Sequence, residues 1–136
     1  MFRFGSRSLE RREGISTRCV EILDHAILIS PVDFGIPKDG GLRTSERQNE
    51  LFLYKVSLCD GYRVKSKHQS GRAFDVYAFV DGKASWEPEH LSMVAGAILQ
   101  ASSELGYPLK WGGLFRPFKS HKDYDHGWDM GHFEEL

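Results

Sequence analysis

The chain has 136 residues, with 18 basic and 19 acidic side chains and a formal net charge of −1. A make-up of 40% hydrophobic and 27% charged residues excludes disordered, collagen-like and coiled-coil classes, and the length suits one domain, residues 1–136. Near-neutral charge lacks the basic footprint of a dedicated nucleic-acid binder, and unbroken apolar runs such as residues 26–29 are far short of the roughly 18 residues of a membrane span.

Residues 1–18 carry five arginines against Glu10 and Glu13, which reads as a solvated basic surface. No apolar stretch follows them, so no secretory signal peptide is expected. Ile15, Cys19, Ile22, Leu23, Ala26 and Ile29 recur at helical spacing, predicting an amphipathic helix from Ser16 to about Ile29, with Ser16 as N-cap and Pro31 as the stop. Residues 34–36 suit a short strand before the turn 38–41. A second helix is expected from Ser45, with Gln48 completing a capping-box pattern, to about Leu58. Cys19 and Cys59 each fall in an apolar helical pattern and read as free core thiols, with a disulfide left open. Residues 74–80 are β-prone and end at Asp81-Gly82, a hairpin signal. Pro88 opens a third helix whose apolar positions run from Leu91 to Leu105, and Gly106 ends it. Residues 131–134 suit a last strand. The expected fold class is α+β, about three helices around a small, mostly antiparallel sheet.

Chemistry concentrates in two places. In the segment 66–75, His68 stands seven residues before Asp75, across a glycine turn and onto a strand. Late in the chain come Asp129 and His132. His68, Asp75 and His132 would supply two imidazoles and a carboxylate, a ligand set of catalytic zinc sites that leaves one position open. Each residue also has an ordinary alternative: His68 as a hydrogen-bonded loop histidine, Asp75 and Asp129 bonding turn amides, Gly71 and Gly131 supplying positive φ. The His-x6-Asp spacing by itself leaves the choice open.

The pattern Ser66-x-His68-x-x-Gly71-x-Ala73-x-Asp75, followed by Asp129-x-x-His132-Phe133-Glu134, resembles the zinc D-Ala-D-Ala carboxypeptidase/dipeptidase family with the hedgehog-like fold. Within it, the chain is most similar to phage endolysins that are L-alanyl-D-glutamate peptidases. Residues 42–48, with Arg43 and Gln48, match the family's upstream segment, and Phe2-Arg3-Phe4-Gly5 is like the start of some of those endolysins. Asp129 stands where the carboxypeptidase and dipeptidase branches carry Glu, and residues 114–125 align with no family pattern.

The resemblance implies Zn²⁺ held by His68, Asp75 and His132. Asp129 would act as the proton acceptor and donor, Arg43 would steady the oxyanion or the scissile carbonyl, and Ser66 and Gln48 would contact substrate. It implies hydrolysis of the L-alanyl-D-glutamate bond of bacterial peptidoglycan stem peptides. The alternatives are a D-alanyl-D-alanine carboxypeptidase and a non-catalytic, metal-containing wall-binding module. An endolysin of this kind is expected as a monomer in the host cytoplasm, reaching the periplasm through a separate pore protein. The same ligand set accepts other divalent ions. His25 and His90 read as solvent-facing. His121 and His126 could line the cleft or hold a second cation, and Trp111, Phe115, Phe118, Tyr124 and Trp128 could wall it.

Overall fold

The computed structural model of the protein describes residues 1–115 and 129–136. Its first element, α1 (Ser6–Arg11), was not expected. The basic N-terminus is docked rather than simply solvated. Ile36 N–H donates to the Ser8 hydroxyl at 3.1 Å, Arg11 donates to Ile36 O at 3.2 Å, and Phe4 meets Phe34 edge to face at 5.3 Å.

Helix α2 (Thr17–Ile29) starts where expected, because the Ser16 hydroxyl accepts from Cys19 N–H. It is followed by β1 (Asp33–Gly35) and α3 (Ser45–Leu53). Helix α3 departs from its predicted bounds at both ends. Thr44, not Ser45, is the N-cap, accepting from Arg47 N–H, and the helix stops at Leu53 rather than near Leu58. Leu53, Tyr54, Val56 and Leu58 are all exposed, and Lys55 turns left-handed at φ 62°, so no core rewards a further helical turn. Cys59 therefore lies in a loop, half-buried, while Cys19 is fully buried in α2; both thiols are free.

A 3₁₀ turn (Lys67–Ser70) leads into β2 (Ala73–Asp75), β3 (Tyr77–Val80) and β4 (Lys83–Ser85). The single β-prone run of the sequence is thus two strands, parted at Val76. The β3–β4 hairpin turns on Asp81 and Gly82, with φ of 52° and 79°, the paired left-handed geometry of a two-residue loop. Helix α4 (Pro88–Leu105) has Pro at N1 and Gly106 at its left-handed C-cap, as expected. The chain then forms β5 (Leu109–Trp111), a second 3₁₀ turn (Gly112–Leu114) and β6 (His132–Glu135).

The described residues therefore form four α-helices and two three-stranded antiparallel sheets, ordered β1-β3-β4 and β2-β6-β5, in place of three helices and one sheet. The α+β class stands. Cys19, Ile22, Leu23 and Ala26 of α2 and Leu91, Val94, Ala95 and Ile98 of α4 join Phe34, Phe74, Val76, Ala78 and Phe133 in one buried core.

What positions the site is the pairing of β2 with β6. Phe74 lies directly opposite Phe133, and their rings stack at 5.4 Å in the core. Side chains alternate faces along a strand. The neighbouring pair in the register, Asp75 opposite His132, is therefore turned to the other face. Burying two phenylalanines on one side presents a carboxylate and an imidazole together on the other.

Candidate metal centre

The third donor comes from the 3₁₀ turn. Ser66 caps it: its hydroxyl accepts from His68 N–H, and Gln69 returns a bond to Ser66 N–H, a complete capping box. Gly71 closes the turn at φ 72°, a conformation that favours glycine. His68 is thereby held at 2% exposure, and its Nδ1–H donates to Gly41 O at 2.9 Å, leaving Nε2 free to face His132.

Three donor atoms converge. His68 Nε2 lies 3.3 Å from Asp75 Oδ1 and 3.2 Å from His132 Nδ1, and His132 Nδ1 lies 2.9 Å from the same Asp75 oxygen. Ligand atoms held at zinc-like bond lengths of about 2.0–2.2 Å and tetrahedral angles stand roughly 3.3–3.6 Å apart. The observed triangle is within a few tenths of an ångström of that spacing, and its two nitrogens and one carboxylate oxygen are donors suited to zinc. His68, Asp75 and His132 form a group able to hold a metal ion.

The charges around the triangle are strongly coupled. Burial pushes the Asp75 carboxyl up, but hydrogen bonds to His132 and His68 and their charge outweigh it and hold it well below the usual carboxylate range. Burial likewise opposes charge on His132, yet the hydrogen bonds to Asp75 and Glu134, with the charges of Asp75 and Asp129, raise its pKa to about 9. Without a metal, the two flanking carboxylates thus favour the charged form of His132.

Arg43 stands behind Asp75. Its Nη2 donates to Asp75 Oδ2 at 3.0 Å, Nε to Asp39 O at 2.8 Å and Nη1 to Gln48 Oε1 at 3.1 Å. Gln48, expected to contact substrate, is instead fully buried, with its amide nitrogen donating to Ser57 Oγ and Cys59 O. It holds Arg43 from behind and has no surface to offer a ligand. Ser66, the other expected substrate contact, spends its hydroxyl on the cap of the turn that carries His68.

Asp129 lies at the rim in the turn entering β6. His132 N–H donates to Asp129 O at 3.1 Å, Trp111 Nε1–H to Met130 O at 2.7 Å, and Asp129 N–H to Gly112 O at 3.3 Å. The residue as a whole is exposed, but withdrawal of its carboxyl from water and the nearby Asp75 charge raise its pKa, against the pull of His132, His68 and Arg43. A Cβ on Gly112 would stand 1.9 Å from Asp129 O, so this contact requires glycine. Gly112→Ala is expected to push the Asp129 turn away from the triangle and cost at least about tenfold in activity, as misplacement by an ångström does. Hydrolysis rates measured beside the far-ultraviolet spectrum of the folded variant check it.

Sequence reasoning assigned no role to Glu134. Its Oε1 accepts from His132 Nε2–H at 2.9 Å, and its Oε2 pairs with Lys67 at 3.2 Å. The His132 hydrogen bond, aided by Lys67, outweighs burial and holds its carboxyl at about 2. The available signal was strand periodicity: residues 132 and 134 share a face.

Of the aromatic residues expected at the cleft, Phe115 lies against His132 with ring centres 5.6 Å apart, while Trp111 anchors the turn just described. Phe118, Tyr124, Trp128, His121 and His126 lie outside the described residues. His25 and His90 are half-buried rather than simply solvent-facing, bonded to Glu104 and to Ser85 Oγ respectively.

A sequence profile described as phage L-alanyl-D-glutamate peptidase matches residues 1–136, the whole chain. The chain belongs to this family. The L-alanyl-D-glutamate peptidase of Escherichia phage T5 is 29% identical over 136 residues, covering 98% of this chain and 97% of that one. Among solved structures, the Serratia marcescens L-Ala D-Glu endopeptidase ChiX is 29% identical, with a TM-score of 0.79 over 98% of this chain and 90% of its own. The LD-carboxypeptidase LdcB shares only the fold, at 18% identity and a TM-score of 0.55 over 90% of this chain and 59% of its own. The likeness to this peptidase family therefore runs the full length of the chain.

Proposed function

We propose that the protein is a zinc-dependent endopeptidase that cuts the L-alanyl-D-glutamate bond of peptidoglycan stem peptides. The observation that carries this reading is the convergence of His68 Nε2, Asp75 Oδ1 and His132 Nδ1 beside Asp129 and Arg43, in a chain of the L-alanyl-D-glutamate peptidase family. A divalent ion held by those three donors supplies Lewis acidity toward a peptide carbonyl and toward water. Asp129 takes the proton of the attacking water and returns it to the leaving amine. Its pKa is raised above the ordinary aspartate value by burial and the Asp75 charge, the direction that makes it a stronger proton acceptor. Arg43 aims Asp75 through their ion pair, and its positive charge favours the oxyanion that develops on the carbonyl.

In this reading the protein acts as a monomer on the bacterial wall and reaches it through a separate pore protein. No helix among the described residues is long and apolar enough to cross a membrane.

Purified peptidoglycan digested with the zinc-loaded protein should release stem peptides freed from their L-alanine, detected by mass spectrometry, and a chelator should abolish the release. Loss of a single terminal D-alanine instead would make it a carboxypeptidase, and binding without cleavage a wall-binding module.

Zinc must replace the proton that His132 carries in the metal-free protein. Apparent affinity is therefore expected to rise up to tenfold per pH unit from 7 to about 9 and then level off. The metal-free protein should behave oppositely. The folded pKa of His132 lies above the ordinary 6.5, so its stabilising contribution is complete below that pH and lost as pH rises through about 9. Titration against a chromophoric chelator reads the first, and melting temperatures in excess chelator read the second.

A further inference from the structure

Resting on the metallopeptidase reading, we infer that Glu134 is a positioning residue that selects which nitrogen of His132 faces the ion, with Lys67 holding Glu134 in place. A histidine ring offers two nitrogens, and the one that keeps its hydrogen cannot bind metal. The Glu134 carboxylate, 2.9 Å from His132 Nε2, can only accept a hydrogen bond, so it fixes the hydrogen on Nε2 and leaves Nδ1 for the triangle. His68 is set the opposite way by a different device, the backbone carbonyl of Gly41 at its Nδ1. The two histidines therefore present unlike nitrogens, and each choice is dictated by the acceptor behind the ring.

Lys67 links this arrangement to the turn that carries His68. Its ammonium pairs with Glu134 Oε2 at 3.2 Å and also donates to Glu135 O. It is the residue before His68, in the same 3₁₀ turn. One bridge thus ties the turn that delivers the first ligand to the strand that delivers the third. Ala73, directly opposite Glu134 in the register, has a side chain too small to compete for that space.

The test uses the full chain as Glu134→Ala, Glu134→Gln and Lys67→Met, with zinc affinity read by competition with a chromophoric chelator and His132 read by long-range proton–nitrogen NMR. Glu134→Ala should bind zinc about ten- to a hundredfold more weakly. Glu134→Gln, which keeps an oxygen acceptor, should recover part of that loss, and Lys67→Met should weaken binding by a smaller factor. In the zinc-loaded parent the His132 spectrum should show hydrogen on Nε2 and metal on Nδ1. Three results would each overturn the inference: Glu134→Ala binding within twofold of the parent, Glu134→Gln as weak as Glu134→Ala, or metal on Nε2 in the parent. Should Glu134→Ala not fold, the Gln variant and the parent spectrum decide. A parent that binds no divalent ion sinks the metallopeptidase reading together with this one, whereas equal binding by parent and Glu134→Ala sinks this one alone.

Discussion

Asp129→Asn should lower kcat by about 10²–10⁴-fold, the range general acid–base catalysis commands, with zinc content and KM within a few-fold of the parent. The substitution keeps the size and shape of the side chain, and the turn around it is held by backbone groups and by Trp111, none of which it disturbs. Only the capacity to exchange a proton is lost. Steady-state kinetics on a purified muropeptide, with metal analysis of the same sample, measure both quantities. A kcat within threefold of the parent would assign the proton transfer to another group. The pH profile carries a second signature. Asp129 must be ionised to accept a proton, and its pKa is raised, so activity should fall on the acid side at a pH above the ordinary aspartate range. That limb should be missing from the residual activity of the variant.

Asp75→Ala is the more disruptive change, because one carboxylate serves two structures. Its Oδ1 is a corner of the donor triangle and its Oδ2 receives Arg43. Removal leaves His132 without one of its two carboxylate partners and a guanidinium at 13% exposure without its charge partner. Loss of the metal's charge stabilisation, worth several kcal/mol, corresponds to at least about 10³-fold in rate. Breaking a buried ion pair by removing one partner costs about 3–5 kcal/mol, and the partial exposure of Asp75 brings the expected loss for the metal-free protein to about 2–3 kcal/mol. Metal content after dialysis and urea denaturation in chelator are the two readings. A variant that retained one zinc ion per chain would remove Asp75 from the ligand set.

Local patterns proved strong evidence for some elements and weak for others. The N-cap of α2, the hairpin at Asp81-Gly82 and both ends of α4 were legible because each depends on a hydrogen bond or φ angle confined to adjacent residues. The end of α3 was not. Its apolar spacing continues past Leu53, but whether those side chains have a core to enter is a property of the rest of the molecule. Gln48 illustrates the same gap within the site. It belongs to the segment that carries the resemblance, yet only the fold shows it buried behind Arg43.

By itself the amino-acid sequence determined the fold class, the chemical types of the candidate metal donors and the family, since these reside in residue identity, short-range order and the spacing of a motif. Tertiary structure decided the remainder. The antiparallel register brings Asp75 against His132 across 57 residues of chain, and the fold sets Gly41 O behind Nδ1 of His68 and Glu134 behind Nε2 of His132. Alternation along a strand is a local rule, whereas the strand it pairs with, and the carbonyl or carboxylate waiting behind an imidazole, are fixed only when distant segments share one core.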